Sequence, residues 1–107
     1  DPIGKMDPYC KFKLGWHSAR TTVARSEGTH PTWTDAVVLE SSGKDQYVKV
    51  KVKDSDRITF NDRLGTAKVP LADAVAKGTV SQWVPLHKGS KATGELLLSI
   101  EFHPKVL

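Results

Sequence analysis

Strict alternation of apolar and charged residues is the feature that most limits the folds open to this chain. The run VKVKVK, residues 48–53, places valines on one side and lysines on the other. The run CKFKL, residues 10–14, repeats the pattern with Cys10, Phe12 and Leu14. Successive side chains of a β-strand point to opposite faces of a sheet, whereas a helix repeats about every 3.6 residues. Both runs are therefore predicted to be strands with one buried and one solvated face.

Shorter segments of the same kind fill the rest of the chain. ELLLSIEF, residues 95–102, is predicted to be a strand with Leu96, Leu98, Ile100 and Phe102 on one face. Further strands are predicted near residues 20–25, 35–40, 64–69 and 80–85. Turn-forming residues cluster at 28–31, 41–45, 61–65 and 87–94. With one short helical turn predicted at 72–77, this order favours an all-β antiparallel sandwich.

Composition limits the class of protein. The 107 residues suit a single domain, and no apolar run approaches the roughly 20 residues that a membrane-spanning helix needs. The lone cysteine, Cys10, is expected to point inward and cannot form an internal disulfide, which fits a reducing, cytoplasmic compartment. A formal net charge of +4 favours anionic partners and leaves membrane surfaces and nucleic acid both open.

Two acidic stretches are the strongest candidates for a functional site. Asp1 and Asp7 lie six residues apart at the start of the chain. A second stretch, DSDRITFND, follows a predicted strand directly and contains Asp54, Asp56 and Asp62. Aspartates also occur in loops simply because their side chains hydrogen-bond nearby backbone and tolerate turns, and this structural explanation stays open for either stretch alone.

The EF-hand, a calcium-binding loop, does not fit the second stretch. Counting from Asp54, the sixth position is Thr59 where glycine is needed, and the twelfth is Gly65 where a bidentate glutamate is needed. Another arrangement of the aspartates is required if they bind a metal.

Three motifs in order resemble the C2 domain of calcium-dependent membrane-binding proteins such as conventional protein kinases C, synaptotagmins and small plant C2 proteins. They are Asp-x5-Asp-Pro-Tyr at 1–9, His-Pro-Thr-Trp at 30–33, and Asp-x-Asp-x5-Asp-x-x-Gly at 54–65. The closing strand GELLLSIEF is also similar, so the resemblance covers nearly the whole chain. His30 replaces the family's usual asparagine, and Ser55 stands where an aromatic residue is common.

The resemblance implies a Ca²⁺ site at one end of a C2-type sandwich. Its ligands would be five aspartates, the Ser55 carbonyl and the Thr59 hydroxyl. The implied metal ligands are Asp1, Asp7, Asp54, Ser55, Asp56, Thr59 and Asp62. Oxygen ligands of this kind suit calcium, and shared carboxylates would bridge two or more ions.

The resemblance also implies a membrane-facing surface. Apolar side chains on the same loops, Ile3, Ile58 and Phe60, would enter the lipid headgroup region. Basic and polar side chains would contact anionic lipid, either phosphatidylserine or phosphoinositide. The family's phosphoinositide-contacting positions are matched only in part. The residues of this second set are Tyr9, Lys11, Lys13, Arg20, Lys49, Lys51, Lys53 and Asn61. The expected function is calcium-dependent docking on anionic membranes, in signalling or trafficking, by a cytoplasmic protein that becomes peripheral to the membrane.

Residues 1–107 are expected to form a single C2 domain that is incomplete at its N-terminus, because in the family a core strand precedes the first calcium loop. A longer polypeptide or the strand of a partner chain, as in a strand-exchanged homodimer, is expected to supply it. The alternative function is a calcium-independent protein-interaction module that uses the basic face or the open sheet edge.

Two further classes of function find less support in the sequence. Nucleic-acid binding by the lysines lacks interleaved aromatic platforms. Scattered histidines and the absence of a Gly-rich phosphate loop or a nucleophile motif argue against an enzyme. The three tryptophans, Trp16, Trp33 and Trp83, are predicted to be packing residues.

Overall fold

A computed structural model describes residues 7–22, 33, 35–55 and 63–105. These residues form six strands and one short helix: β1 Pro8–Leu14, β2 His17–Arg20, β3 Tyr47–Asp54, β4 Arg63–Pro70, α1 Ala72–Lys77, β5 Thr79–Lys88 and β6 Lys91–Glu101. The strands are ordered β2-β1-β3-β4-β5-β6, and all neighbours are antiparallel.

The core lies between two parts of this folded sheet. Strands β2, β1, β3 and β4 are paired along most of their length, with one register shift between β3 and β4 at Val52 and Lys53. In contrast, β4 pairs with β5 only at Thr66 and His87. Inward side chains of β5, Val84 and Leu86, lie in the same buried cluster as Phe12 of β1. A flat sheet with strands about 4.8 Å apart would hold β5 far from β1. The β5-β6 hairpin therefore packs over the other strands, as predicted for an antiparallel sandwich.

Several elements confirm the sequence pattern. The alternating runs at 10–14 and 48–53 lie in β1 and β3, with Val50 fully buried. The helix covers the predicted residues 72–77. The predicted strands at 64–69 and 80–85 lie inside β4 and β5, and ELLLSIEF lies largely in β6.

The prediction of a strand at 35–40 is wrong, because this segment has no ladder in the structure. Its alternation is nevertheless meaningful, since Val37 and Leu39 pack against the core while the residues between them are exposed. Burial of alternate side chains thus occurs here without backbone pairing.

The boundaries of three other elements differ from the predictions. The strand expected at 20–25 is observed as β2, which ends at Arg20. It ends there because the Thr21 hydroxyl, instead of a backbone carbonyl, accepts the Cys10 amide hydrogen, at 3.0 Å. Residues 23–25 lie outside the described part. Residues 63–65 of the predicted turn belong to β4. The turn predicted at 87–94 contracts to Gly89 and Ser90 between β5 and β6.

The prediction that all three tryptophans pack inside the protein holds only for Trp33. Its side chain packs against the core, and its indole N–H donates to the Pro8 carbonyl at 3.3 Å. Trp16 is 98% exposed because it lies in the turn after Gly15, and Trp83 is 63% exposed because it faces outward on β5. Phe102 follows the end of β6 and is also exposed.

Cys10 points inward, as predicted, and is 2% exposed. Burial raises the pKa of its thiol from 9.0 to about 12, and the negative charge of Asp35 adds to the effect. The native thiol therefore stays protonated where an unfolded one begins to ionise.

We expect the Cys10 thiol to resist alkylation by iodoacetamide at pH 8.5 in the native protein and to react readily in denaturant. Because the folded-state pKa is raised, the thiol's contribution to stability is complete below about pH 9 and is lost as the pH rises toward 12. Mass spectrometry of the labelled protein and melting curves between pH 8 and pH 11 measure both effects. Rapid labelling of the native chain would contradict the burial.

Candidate functional site

Two of the predicted aspartates meet at one end of the sheet. Asp7 immediately precedes β1 and Asp54 ends β3, and the antiparallel register pairs Pro8 with Asp54. The Asp7 amide donates to Asp54 Oδ1 at 3.4 Å, and the Ser55 amide donates to the Asp7 carbonyl at 3.0 Å. Asp7, Asp54 and Ser55 are therefore adjacent in the fold.

Asp54 occupies an unusual position for a carboxylate. It continues the inward row of Val48, Val50 and Val52, and it is only 3% exposed. A buried carboxylate is costly unless hydrogen bonds or positive charge offset the loss of hydration. Its oxygens, next to Asp7, form the kind of hard donor set that calcium accepts. The chemistry of these two residues therefore fits the cation that the sequence resemblance implies.

The remaining predicted ligands, Asp1, Asp56, Thr59 and Asp62, lie outside the described residues. Within the described ranges no group of three or more histidine, cysteine, aspartate or glutamate side chains could hold a metal ion. The full ligand set thus stays a prediction, of which Asp7, Asp54 and Ser55 are the members with a described position.

A basic face covers the outer side of the first four strands. The register places Arg20, Lys11 and Lys51 in one cross-strand row and Lys13, Lys49 and Lys68 in the next. Along this side of β1 to β4, as far as the structure describes side chains, no carboxylate points outward. We define the basic face by its cations: Lys11, Lys13, Arg20, Lys49, Lys51, Lys53 and Lys68.

Lys68 is the member of the basic face that sequence reasoning missed. Its signal is the alternation within the predicted strand at 64–69, where Ala67 and Val69 point inward and Lys68 lies between them. The pairing of Lys68 with Lys49 extends the basic face to β4.

An open groove connects the basic face to the aspartate end. It has a volume of about 450 Å³ and is lined by Tyr9, Arg20, Thr21, Thr22 and Ser55. The Arg20 guanidinium lies 5.4 Å from the centre of the Tyr9 ring, which is a cation–π distance. Because Ser55 is hydrogen-bonded to Asp7, an anionic group in this groove would lie beside the aspartates.

The apolar side chains predicted to enter the membrane, Ile3, Ile58 and Phe60, and the predicted lipid contact Asn61 lie outside the described residues. Of the helical structure that is described, none is long and apolar enough to cross a bilayer.

Comparison with known sequences identifies the family of this chain. The family model for the C2 domain matches residues 1–86. The 16 kDa phloem protein 2 of Arabidopsis thaliana is 27% identical over 105 residues, which cover 97% of this chain and 71% of that protein. Human extended synaptotagmin-1 is 35% identical over 99 residues, 92% of this chain but 9% of that protein.

Solved structures agree as well. A C2 domain-containing protein superposes with a TM-score of 0.88 at 26% identity, over 97% of this chain and 77% of that one. The paired C2 domains of extended synaptotagmin 2, solved with calcium bound, give a TM-score of 0.67 at 26% identity, over 92% of this chain and 35% of that one. The chain therefore belongs to the C2 domain family, whose members are non-catalytic modules that bind membranes or proteins.

Proposed function

We propose that this protein binds anionic phospholipid membranes in response to calcium. The observation that carries the proposal is the meeting of Asp7 and the buried Asp54 at one end of the sheet, beside a groove that leads to the basic face. The calcium-bound state of the similar extended synaptotagmin 2 domains supports the same assignment.

Calcium would act by neutralising most of the negative charge at the aspartate end. Asp7 and Asp54 would bind it together with Asp1, Asp56 and Asp62, helped by the Ser55 carbonyl and the Thr59 hydroxyl. Neighbouring carboxylates repel one another, and a bound cation would remove this repulsion, which favours cation binding. Each ion adds two positive charges and offers coordination positions to lipid phosphates. Calcium binding would thus turn an anion-repelling end into an anion-accepting one.

The basic face would supply the second part of the attraction. Each lysine or arginine close to an anionic membrane contributes about 1 kcal/mol, and this contribution weakens with salt. The groove around Tyr9 and Arg20 would hold a phosphate-bearing headgroup, with Lys11 and Asn61 as further phosphoinositide contacts. The apolar residues Ile3, Ile58 and Phe60 would add about 1.5 to 3 kcal/mol for each side chain buried in lipid.

Cellular behaviour follows from these attractions. The protein would be mainly cytoplasmic while calcium is low, and a larger fraction would become peripheral to a phosphatidylserine-containing membrane when calcium rises.

A calorimetric calcium titration with and without vesicles tests this function. With vesicles of phosphatidylcholine and phosphatidylserine, we expect heat of calcium binding, tighter calcium affinity than without lipid, and sedimentation of the protein with the vesicles. Chelator should reverse the part of the binding that calcium stimulates. Pure phosphatidylcholine vesicles are the control for charge. Vesicle binding that chelator leaves unchanged would contradict the calcium dependence, and absence of both calcium heat and vesicle binding would instead favour a calcium-independent protein-interaction module.

A further inference from the structure

Exposed aromatic side chains gather at the end of the sheet remote from the aspartates. Because β1 and β3 are antiparallel, Tyr47 begins β3 at the end opposite Asp54, and it pairs with Pro70 of β4. Trp83 of β5 lines a small groove with Lys68 and Pro70. Tyr47 is 48% exposed and Trp83 is 63% exposed. We call Tyr47, Lys68, Pro70 and Trp83 the aromatic–basic surface.

The aromatic–basic surface carries positive charge. The Lys68 ammonium lies 5.9 Å from the centre of the Tyr47 ring, within the range of a cation–π contact. Lys68 also pairs across strands with Lys49, which pairs with Lys13. A row of ammonium groups therefore runs from the basic face to the exposed tryptophan.

The shape of the surface distinguishes between classes of partner. Its groove has a volume of about 130 Å³, far below the several hundred Å³ of a typical ligand pocket. The large apolar groups protrude instead: Trp83 is exposed, and its cross-strand partner Leu97 is 56% exposed. Protruding tryptophan and tyrosine with adjacent lysines are characteristic of side chains that settle at a membrane–water interface.

We propose that the aromatic–basic surface is a second membrane contact, which holds an anionic bilayer without calcium. Trp83 and Tyr47 enter the headgroup region, while Lys68 and Lys49 face the lipid phosphates and carboxylates. The choice of a bilayer as partner rests on the proposed membrane function, but the contact itself uses none of the aspartates. The length of β3, about 25 Å, separates the two ends, so each contact forms or fails separately.

The test is vesicle binding in the presence of chelator. With phosphatidylcholine–phosphatidylserine vesicles at about 0.15 M salt, Trp83→Ala should weaken partitioning about tenfold, since it removes one large side chain from the interface. Lys68→Glu should weaken it by a similar or larger factor, because a positive charge is replaced by a negative one. Trp16→Ala is the comparison variant: this tryptophan is 98% exposed in the β1–β2 turn, at the same end of the sheet but outside the groove, so its loss should weaken partitioning clearly less than Trp83→Ala does.

Tryptophan fluorescence supplies a readout that folding defects do not mimic. Vesicles with brominated acyl chains should quench the wild-type protein and Trp16→Phe in chelator, and should quench Trp83→Phe much less. Quenching lost in Trp16→Phe but kept in Trp83→Phe would overturn the proposal. So would binding of polyglutamate through Trp83 and Lys68 without vesicle binding, because the surface would then serve an acidic protein partner. Melting temperatures verify that every variant folds.

The effects of calcium and of Trp83 on vesicle binding distinguish the second membrane contact from the calcium-dependent function. Binding in chelator that depends on Trp83, without any effect of calcium, would refute the calcium-dependent function and retain the second contact. Calcium-stimulated binding that is indifferent to Trp83 in all conditions would refute the second contact alone.

Discussion

Replacing Gly65 with alanine is expected to lower the melting temperature by about 10 °C, from a loss of about 2 kcal/mol in the free energy of unfolding. A Cβ atom at this position would lie 2.7 Å from Leu86 Cβ and 2.6 Å from Thr93 Oγ1. Leu86 Cβ is attached directly to the backbone of β5, so it cannot move without shifting the strand. Because β4 meets β5 close to this point, at Thr66 and His87, the substitution would force apart the two halves of the sandwich.

Thermal or urea unfolding of Gly65→Ala, Thr93→Ala and the double variant measures this effect. Removing the Thr93 hydroxyl relieves one of the two close contacts, so the double variant should be more stable than the sum of the single effects predicts. The contact with Leu86 remains, and the rescue should therefore be partial. Full additivity, or a melting temperature unchanged by Gly65→Ala, would show that the β4–β5 corner is looser than the structure describes.

The strands that the sequence predicts best are those with a sharp contrast between their faces. VKVKVK has one register that buries valine and exposes lysine, and a shift by a single residue would exchange the two faces completely. The same contrast explains why Cys10 was correctly placed inward. Local pattern suffices here because each strand has ladder partners on both sides.

Local pattern fails where structure depends on neighbours that are distant in sequence. Residues 35–40 alternate as a strand does, yet the structure describes no ladder for them, and alternation alone cannot reveal whether a partner strand is adjacent. The size and apolar character of tryptophan predict a packing role for Trp83, but its side chain is exposed. Its position in β5 sets its direction: Val84 and Leu86 point inward, so Trp83 must point outward.

The candidate site also combines residues that the local sequence pattern predicts with residues that only the strand pairing brings together. Spacing within one loop could not show that Asp7 approaches Asp54, which is 47 residues away; the family resemblance predicted this pair, and the β1–β3 register explains it physically. The basic face was largely predictable because its lysines alternate with buried residues. Lys68 was missed because a single lysine in β4 has no repeating pattern, and only the pairing with Lys49 brings it into the row.

Replacing Asp54 with asparagine is expected to weaken calcium binding about a hundredfold, comparable to removing one partner of a buried charge pair. The amide oxygen of asparagine can still accept the Asp7 amide hydrogen, which the Asp54 Oδ1 atom accepts at 3.4 Å. The fold should therefore survive while one negative charge, 3% exposed and beside Asp7 at the proposed cation site, is lost. Calcium-dependent sedimentation with phosphatidylserine vesicles should disappear at calcium concentrations that saturate the wild-type protein.

Asp73→Asn is the matched control, because it removes the same charge from an exposed position in the first turn of α1. Its effect on calcium affinity should be less than about twofold, since a solvent-exposed charge beyond the Debye length is screened. Isothermal titration gives the calcium affinities, and the rise in melting temperature at saturating calcium gives an independent measure, because a ligand that binds only the folded state stabilises it. If Asp54→Asn and Asp73→Asn keep equal calcium affinities, the buried carboxylate has a structural role alone. If Asp54→Asn loses calcium affinity but keeps vesicle binding in chelator, two separate membrane contacts operate, one governed by the aspartates and the other by the lysines and Trp83.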